Sequence, residues 1–179
     1  MRVISGFAKG RKLKSSTKHI LRPTSDRVKE TLFNILAHKI QEVRFLDLFA
    51  GTGSIGIEAL SRGAQNSVFV EKEASLADLI RKNAQDCGFV NFEVINCDVL
   101  RALSSLQNQR RRFDIIFIDP PYRSDLALRT LEMLAEIDLF DDEHLVIVEH
   151  SRQLPEQIVA LSLQRIVKFG DTFLSFYRK

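Results

Sequence analysis

The tetrapeptide Asp119-Pro120-Pro121-Tyr122 combines residue types that could hold and align an amine. It follows the apolar run Ile115–Ile118, which predicts a buried strand. Because proline lacks a backbone N–H and fixes φ, the carbonyl between Asp119 and Pro121 can face outward. This carbonyl and the Asp119 carboxylate would accept two hydrogen bonds from an –NH₂ group, and the Tyr122 ring would stack on a flat base. A proline-rich turn is the alternative interpretation, but this position favours chemistry on an amine that is aligned with an electrophile.

A glycine loop precedes this motif in the chain. Gly51-Thr52-Gly53-Ser54-Ile55-Gly56 has the spacing G-x-G-x-x-G, and Glu71 follows Gly51 by 20 residues. Between a strand and a helix, such glycines allow close approach of the backbone to a nucleotide, and the acid binds ribose hydroxyls. We expect Gly56 to serve helix–sheet packing instead. The loop alone leaves the ligand open between a nicotinamide or flavin dinucleotide and S-adenosylmethionine.

Acidic residues end three consecutive predicted strands, at Asp47, Glu71 and Asp98. Ligands of open α/β sheets bind at the carboxyl ends of the strands. Asp47 would suit a ligand with an ammonium group and disfavour a pyrophosphate, and Asp98 could accept a hydrogen bond from an adenine amine. No chain remains for a separate hydride-acceptor domain. These features favour the sulfonium cofactor.

Apolar strands alternate with helices along the chain, which is typical of a parallel sheet that is covered on both faces. We therefore predict an α/β, Rossmann-like, seven-stranded and mostly parallel sheet, whose last strand is antiparallel, with a short N-terminal β-hairpin-like basic arm. The predicted strands are 45–49, 67–71, 92–96, 113–119, 144–149, 163–169 and 172–177. The predicted helices are one after a cap at 24–26, reaching residue 40, and 54–62, 74–87, 98–106, 126–137 and 155–161.

Positive charge is concentrated at the start of the chain. The whole sequence of 179 residues has a net charge of +3, whereas the first thirty residues have nine basic and two acidic side chains. A basic arm on a mildly acidic body predicts an anionic partner, most often a nucleic acid. We predict an RNA-contacting arm at 1–23 and one catalytic domain at 24–179. The basic residues are Arg2, Lys9, Arg11, Lys12, Lys14, Lys18, Arg22, Arg27 and Lys29.

Composition narrows the class of protein. With 45% apolar and 27% charged residues, the chain is typical of a globular protein, and its apolar runs are too short for a membrane span. Cys87 and Cys97 are expected to be reduced thiols in a cytoplasmic protein. The four histidines lie apart, so no metal site is expected.

Several segments together resemble the RsmD family, bacterial enzymes that methylate the N2 amine of one guanine in small-subunit 16S ribosomal RNA. The resemblance covers essentially the whole chain. It lies in the Asp-Pro-Pro-Tyr motif, in Arg2–Gly6, in Arg22–Glu30, in Leu32–Leu36 and in Leu46–Gly53. The Asp-Pro-Pro-Tyr motif is shared with DNA adenine and other RNA amino-methyltransferases, so it indicates the reaction but not the base.

The resemblance implies a role for each matching residue. Asp119, Pro120, Pro121 and Tyr122 would hold the target amine. The implied cofactor-binding residues are Asp47, Phe49, Ala50, Gly51, Thr52, Gly53, Glu71, Lys72, Asp98 and Val99, with Arg22 and Thr24 at the entrance. The expected RNA-binding residues are Lys9, Arg11, Lys12, Lys14, Lys18 and Arg22.

The expected cofactor is S-adenosylmethionine, with S-adenosylhomocysteine as product. The expected partner is 16S rRNA within a small-subunit assembly intermediate, and the enzyme is expected to be a monomer that contacts no membrane. Three alternatives stay open: a DNA adenine-N6 or other amino-methyltransferase, a dinucleotide-dependent oxidoreductase, and a non-catalytic RNA-binding module.

Overall fold

The computed structural model describes residues 1–15, 26–121, 125–151 and 154–179. Within these ranges the strands are β1 (Arg44–Asp47), β2 (Asn66–Val70), β3 (Phe92–Ile95), β4 (Phe113–Ile118), β5 (Phe140–His150), β6 (Gln157–Ile158), β7 (Leu161–Phe169) and β8 (Thr172–Arg178). They form one sheet in the order β3-β2-β1-β4-β5-β8-β7-β6. The helices are α1 (Asp26–Leu36), α2 (Ser54–Ser61), α3 (Ala74–Asp86), α4 (Val99–Asn108) and α5 (Leu126–Glu136).

Both faces of the sheet are covered, which confirms the predicted α/β class. In β4, Ile116 and Ile118 pack into one core with residues of α4 and α5. The alternate residues Ile115 and Phe117 pack into a second core with residues of α1. This alternation is the two-residue period of a strand whose two faces are both buried. Within the described ranges, no helix is long and apolar enough to cross a membrane.

The far end of the sheet differs from the prediction. In the part of the chain that the structure describes, the sheet has eight strands and not seven, and two of them, β6 and β8, run against the parallel strands. The helix predicted at 155–161 is wrong, because this segment forms β6 and a tight turn into β7. Ile158 and Leu161 are paired across that turn. A spacing of three residues fits one face of a helix, but it also fits two residues that meet across a short hairpin.

The sheet order places a cleft at the centre of the fold. Strand β1 pairs in parallel with β2 on one side and with β4 on the other. From β1 the chain thus proceeds outward in one direction to β3, and later returns to add β4 and β5 on the opposite side. A crevice at the carboxyl ends of the strands is expected where the order reverses in this way.

Residues 1–15 form a hairpin-like arm that packs against α2 and α3. A single antiparallel bridge joins Arg2 and Lys12, and Val3, Ala8 and Leu13 are buried. The turn at Gly6 lies so close to the end of α2 that a Cβ on Gly6 would be 1.7 Å from the carbonyl oxygen of Ser61. The described part of the arm is therefore an integral part of the packed structure.

The carboxylate of Glu58, in α2, holds this arm in place. It accepts hydrogen bonds from the backbone N–H groups of Ile4 at 2.8 Å and Ser5 at 3.0 Å. It also contacts the ammonium of Lys29 at 3.4 Å and the guanidinium of Arg62 at 2.8 Å. Each of the Glu58 and Lys29 side chains is 0% exposed. Charges buried this deeply require partners of opposite sign.

Lys29 does not belong to the exposed positive charge of the arm, contrary to the sequence count. Its ammonium donates to the carbonyl of Arg2 at 2.6 Å and to the hydroxyl of Ser54 at 3.1 Å. It therefore connects α1 to the arm and to the first residue of α2. Since Lys29 is buried, it is unavailable to an anionic partner.

We expect the Lys29→Met variant to lose about 3–5 kcal/mol of unfolding free energy, because it leaves the Glu58 charge in the interior with one cation fewer. Urea denaturation at pH 7 measures this loss. Lys14→Met is the matched control, since Lys14 pairs with Asp86 at the surface, where both side chains are about half exposed. The control should change stability by less than about 1 kcal/mol.

Adding Glu58→Gln to Lys29→Met removes the buried charge that has lost one of its two cations, and it should restore part of the loss. Equal losses in the Lys29 and Lys14 variants would contradict the role assigned to the buried pair.

Candidate active site

A cleft of about 950 Å³ opens at the carboxyl ends of the parallel strands. Its volume is at the upper end of the range for small-molecule sites, roughly 300–1,000 Å³. One half of the cleft is lined by the loop after β1 and by the ends of β2 and β3. The other half is lined by the segment after β4, by the end of β5 and by the turn between β7 and β8. The cleft therefore has two halves with different linings, which meet near β1 and β4.

The glycine loop connects β1 to α2 and forms one wall. Gly51 and Gly53 both have positive φ, 55° and 79°. Phe49, Ala50, Gly51 and Thr52 line the cleft, as expected for cofactor-binding residues, but Gly53 is not among the lining residues. A Cβ on Gly53 would lie 3.1 Å from the side chain of Ile80, a residue that does not line the cleft. Gly53 thus serves the turn and close packing.

Gly56 serves helix–sheet packing, which confirms the interpretation from its sequence position. A Cβ at this residue would lie 2.3 Å from the ring of Phe69 and 2.6 Å from the hydroxyl of Ser67, both in β2. Only glycine allows α2 to approach the sheet this closely.

Asp47 ends β1 on the floor of the cleft, where it is 2% exposed. Its carboxylate accepts a hydrogen bond from the N–H of Gly56 at 3.1 Å. The pKa of Asp47 is raised from 3.8 to about 7, chiefly by burial; the charges of Asp119 and Glu71 contribute to the rise, and the hydrogen bond from the Gly56 N–H opposes it. A buried acid among other acids is a suitable site for a cationic ligand.

Glu71 and Asp98 extend this acidic wall along β2 and β3. Glu71 accepts hydrogen bonds from the N–H groups of Gly51 at 2.8 Å and Glu73 at 2.9 Å. Asp98 caps α4 by accepting from the N–H of Leu100 at 3.0 Å. These contacts fix both carboxylates in place. Both residues line the cleft, as do the neighbouring Lys72 and Val99.

The segment after β4 lies at the junction of the two halves. Asp119, Pro120 and Pro121 line the cleft, and the negative charge of Asp119 acts on the carboxyl group of Asp47. The acid that is expected to bind the target is thus close to the acid that is expected to bind the cofactor. Tyr122 lies outside the described residues.

The arm reaches the cleft through its first residue. Met1 lines the cleft, and its sulfur accepts a hydrogen bond from the hydroxyl of Thr52 at 3.7 Å. The side chains of Lys9, Arg11, Lys12 and Lys14 are exposed on the arm and do not line the cleft. Lys18, Arg22 and Thr24 lie outside the described residues.

Several lining residues were missed by the sequence reasoning. Glu149 follows an apolar run in β5. An acid at the end of an apolar strand is the signal that identified Asp47 and Glu71, and it could have identified Glu149 as well. Arg27 was counted only among the basic residues of the sequence, and no local pattern indicated that it lines the cleft. The β7–β8 hairpin reaches the cleft only because β8 inserts beside β5; its lining residues are Lys168 and Phe169 at the end of β7, Gly170 in the turn and Thr172 at the start of β8.

A family model, curated relatives and a solved structure all match this chain over most or all of its length. The family model described as Conserved hypothetical protein 95 matches residues 1–178. Ribosomal RNA small subunit methyltransferase D of Haemophilus influenzae is 42% identical over 157 residues, which are 87% of this chain and 81% of the relative. The protein of the same name from Escherichia coli K12 is 36% identical over 181 residues, covering 100% of this chain and 90% of the relative. The solved structure of yhhF from Escherichia coli has a TM-score of 0.87 and 35% identity, covering 99% of this chain and 96% of that one.

The raised pKa of Asp47 predicts a pH-dependent stability for the ligand-free protein. The unfolded carboxyl group ionises near pH 4, whereas the folded one holds its proton up to about pH 7. Unfolding between these values releases a proton, so rising pH destabilises the wild type. We expect Asp47→Asn, which cannot ionise, to gain about 3 kcal/mol of stability relative to wild type between pH 5 and pH 8, because about two pH units of this range lie below the folded pKa of about 7. Urea denaturation at both pH values measures the difference.

Asp114→Asn serves as the control, because Asp114 is a partly exposed acid that pairs with Arg44 away from the cleft. A stability difference between wild type and Asp47→Asn that stays constant from pH 5 to pH 8 would contradict the raised pKa.

Proposed function

Because this chain belongs to the RsmD family of S-adenosylmethionine-dependent methyltransferases, we propose that it methylates the exocyclic N2 amine of a guanine in 16S rRNA. The main structural support is the position of Asp119-Pro120-Pro121 directly after β4, next to the half of the cleft that is lined by Asp47, Glu71 and Asp98. The curated relatives of this family described above are named as methyltransferases of small-subunit ribosomal RNA.

The acidic half of the cleft fits S-adenosylmethionine. Asp47 would bind the ammonium of the methionine part, which would supply the cation that this buried carboxyl group favours. Glu71 would bind the ribose hydroxyls, and Asp98 with Val99 would bind the adenine. When bound, the cofactor supplies a methyl group on a positively charged sulfur, which keeps the electron pair of the broken carbon–sulfur bond.

The segment after β4 would hold the acceptor. The Asp119 carboxylate and the carbonyl of Pro120 would accept hydrogen bonds from the two hydrogens of the guanine amine. This geometry directs the nitrogen lone pair toward the methyl carbon. The new carbon–nitrogen bond leaves the nitrogen positively charged, and Asp119 is placed to accept the proton that then leaves. Stacking of the base on Tyr122 remains a prediction from the sequence.

The arm would bind the RNA around the target. One base in the cleft offers too little contact to select a site, so phosphates and local shape must contribute. Lys9, Arg11 and Lys12 are exposed, and the arm is fixed beside the cleft through Met1. Lys14 is already paired with Asp86 and would contribute less. We propose that residues 1–23 contact RNA in a small-subunit assembly intermediate and that residues 24–179 carry the reaction.

We expect wild-type protein to transfer labelled methyl groups to small-subunit particles from cells that lack it, with N2-methylguanosine as the product. Asp119→Ala should lower kcat by at least about 100-fold, because the carboxylate that it removes aligns the amine chiefly in the transition state. Its dissociation constant for S-adenosylhomocysteine should stay within about threefold of wild type. Labelled methyl transfer, nucleoside analysis and calorimetry provide the three readouts.

Asp125→Ala is the control for this substitution, since Asp125 is an exposed acid that precedes α5. Methyladenosine as the product would contradict the proposed base. A loss confined to cofactor affinity in Asp119→Ala would place Asp119 in the cofactor half.

Replacing Lys9, Arg11 and Lys12 together by Ala should weaken RNA binding and make its salt dependence shallower. Each lost phosphate contact should reduce the log–log slope by about 0.7–0.9. Filter binding of 16S rRNA at several salt concentrations measures both effects. Turnover at saturating RNA should change less than turnover at low RNA, because the arm supplies uniform binding.

The matched control replaces Lys39, Arg129 and Arg165, three exposed cations away from the arm, by Ala. If both triple variants show the same slope and affinity, RNA recognition by the arm is refuted.

A further inference from the structure

Glu149 is a buried acid in the cleft to which the proposed reaction gives no role. It lies near the end of β5, is 6% exposed and lines the cleft. In the sheet order, β5 lies beyond β4 on the side away from β1, β2 and β3. Glu149 is therefore separated from the cofactor half by the strand that leads to Asp119.

The strand register places Glu149 next to Asp119. Ile118 of β4 is paired in parallel with Val148 of β5, so the following residues are Asp119 and Glu149. Phe117 and Ile147, which precede these acids by two residues, both pack into the core that contains α1. Asp119 directly follows β4, so the alternation of side chains along the strand directs both acids toward that same face, and neighbouring strands lie about 4.8 Å apart.

The surroundings of Glu149 form the outer end of the cleft. On its other side, β8 pairs with β5 and places Leu174 opposite Glu149. Phe169, Gly170 and Thr172, from the turn between β7 and β8, line the cleft here. A base whose amine is held at Asp119 would therefore have its adjoining ring edge near Glu149.

The chemistry of that edge distinguishes guanine from adenine. Guanine presents three hydrogens in a row, two on the N2 amine and one on N1, whereas adenine presents an amine next to a bare N1 acceptor. Asp119 and the Pro120 carbonyl can hold the amine of either base. An ionised carboxylate has only acceptors, so at the next position it would bind N1–H and would repel the N1 lone pair of adenine.

Building on the proposed function, we propose that Glu149 accepts the N1–H of the target guanine and thereby determines the base specificity of the enzyme. The acceptors Pro120 carbonyl, Asp119 and Glu149 then match the three donor hydrogens of the guanine edge. A base that enters an enzyme pocket is commonly read through its Watson–Crick edge. A site built around a buried hydrogen bond rejects an analogue that cannot make it, because the buried group loses its partner.

The test uses Glu149→Gln and small-subunit particles reconstituted with either guanine or 2-aminopurine at the nucleotide that the wild type methylates. 2-Aminopurine keeps the amine but has an N1 acceptor. Wild type should strongly prefer guanine. In Glu149→Gln, kcat/KM on guanine should fall roughly 10- to 100-fold, and the preference for guanine over 2-aminopurine should fall toward one, because an amide can donate to N1.

Two controls separate specificity from folding. Glu149→Asp keeps an acceptor and should retain a preference for guanine, and Glu132→Gln makes the same charge change at an exposed site on α5. Thermal stability and the S-adenosylhomocysteine dissociation constant of Glu149→Gln should match wild type. A wild-type preference in Glu149→Gln, or a loss of cofactor binding, would overturn the proposal. Absence of N2-methylguanosine with the wild type would instead refute the proposed function.

Discussion

The buried carboxylate of Glu58 joins three parts of the chain that are distant in sequence. It accepts from the N–H groups of Ile4 and Ser5 and pairs with the cations of Lys29 and Arg62. A carboxylate in this environment is stable only with such partners, so the arm, α1 and α2 must come together in one arrangement. Since α2 begins directly after the glycine loop, the interaction that fixes the arm also fixes a wall of the cleft.

Asp47 is a second buried acid, but its charged neighbours are acids and not cations. Asp47 has a backbone N–H as its hydrogen-bond donor, but its neighbours Asp119 and Glu71 are acids, and its pKa is raised to about 7. Glu58 stabilises the fold through its cations, whereas Asp47 lowers the stability of the ligand-free protein once it ionises. Groups that are unfavourable for folding in this way are typical of binding sites, because a ligand of opposite charge offsets the cost.

Local patterns predicted the elements and the acids that follow their strands, because both depend on residues close in sequence. Asp119 follows an apolar run, and Glu71 lies at a set distance from the glycines. Pairings between distant segments could not be read in this way. No local pattern shows that Lys29 is buried against the Glu58 carboxylate while the lysines of the arm are exposed. Nor does one show that Ile158 and Leu161 pair across a hairpin instead of lying on one face of a helix. Such choices are decided by tertiary packing.

The position of β8 between β5 and β7 makes the two ends of the cleft depend on different parts of the chain. Without β8, strand β5 would form the edge of the sheet, with the apolar residues Val146–Val148 in it. Unprotected apolar edges favour pairing with other chains. The turn that closes the outer end of the cleft also depends on β8, because this turn joins β7 to β8. One strand therefore both protects the edge of the parallel sheet and completes the cleft.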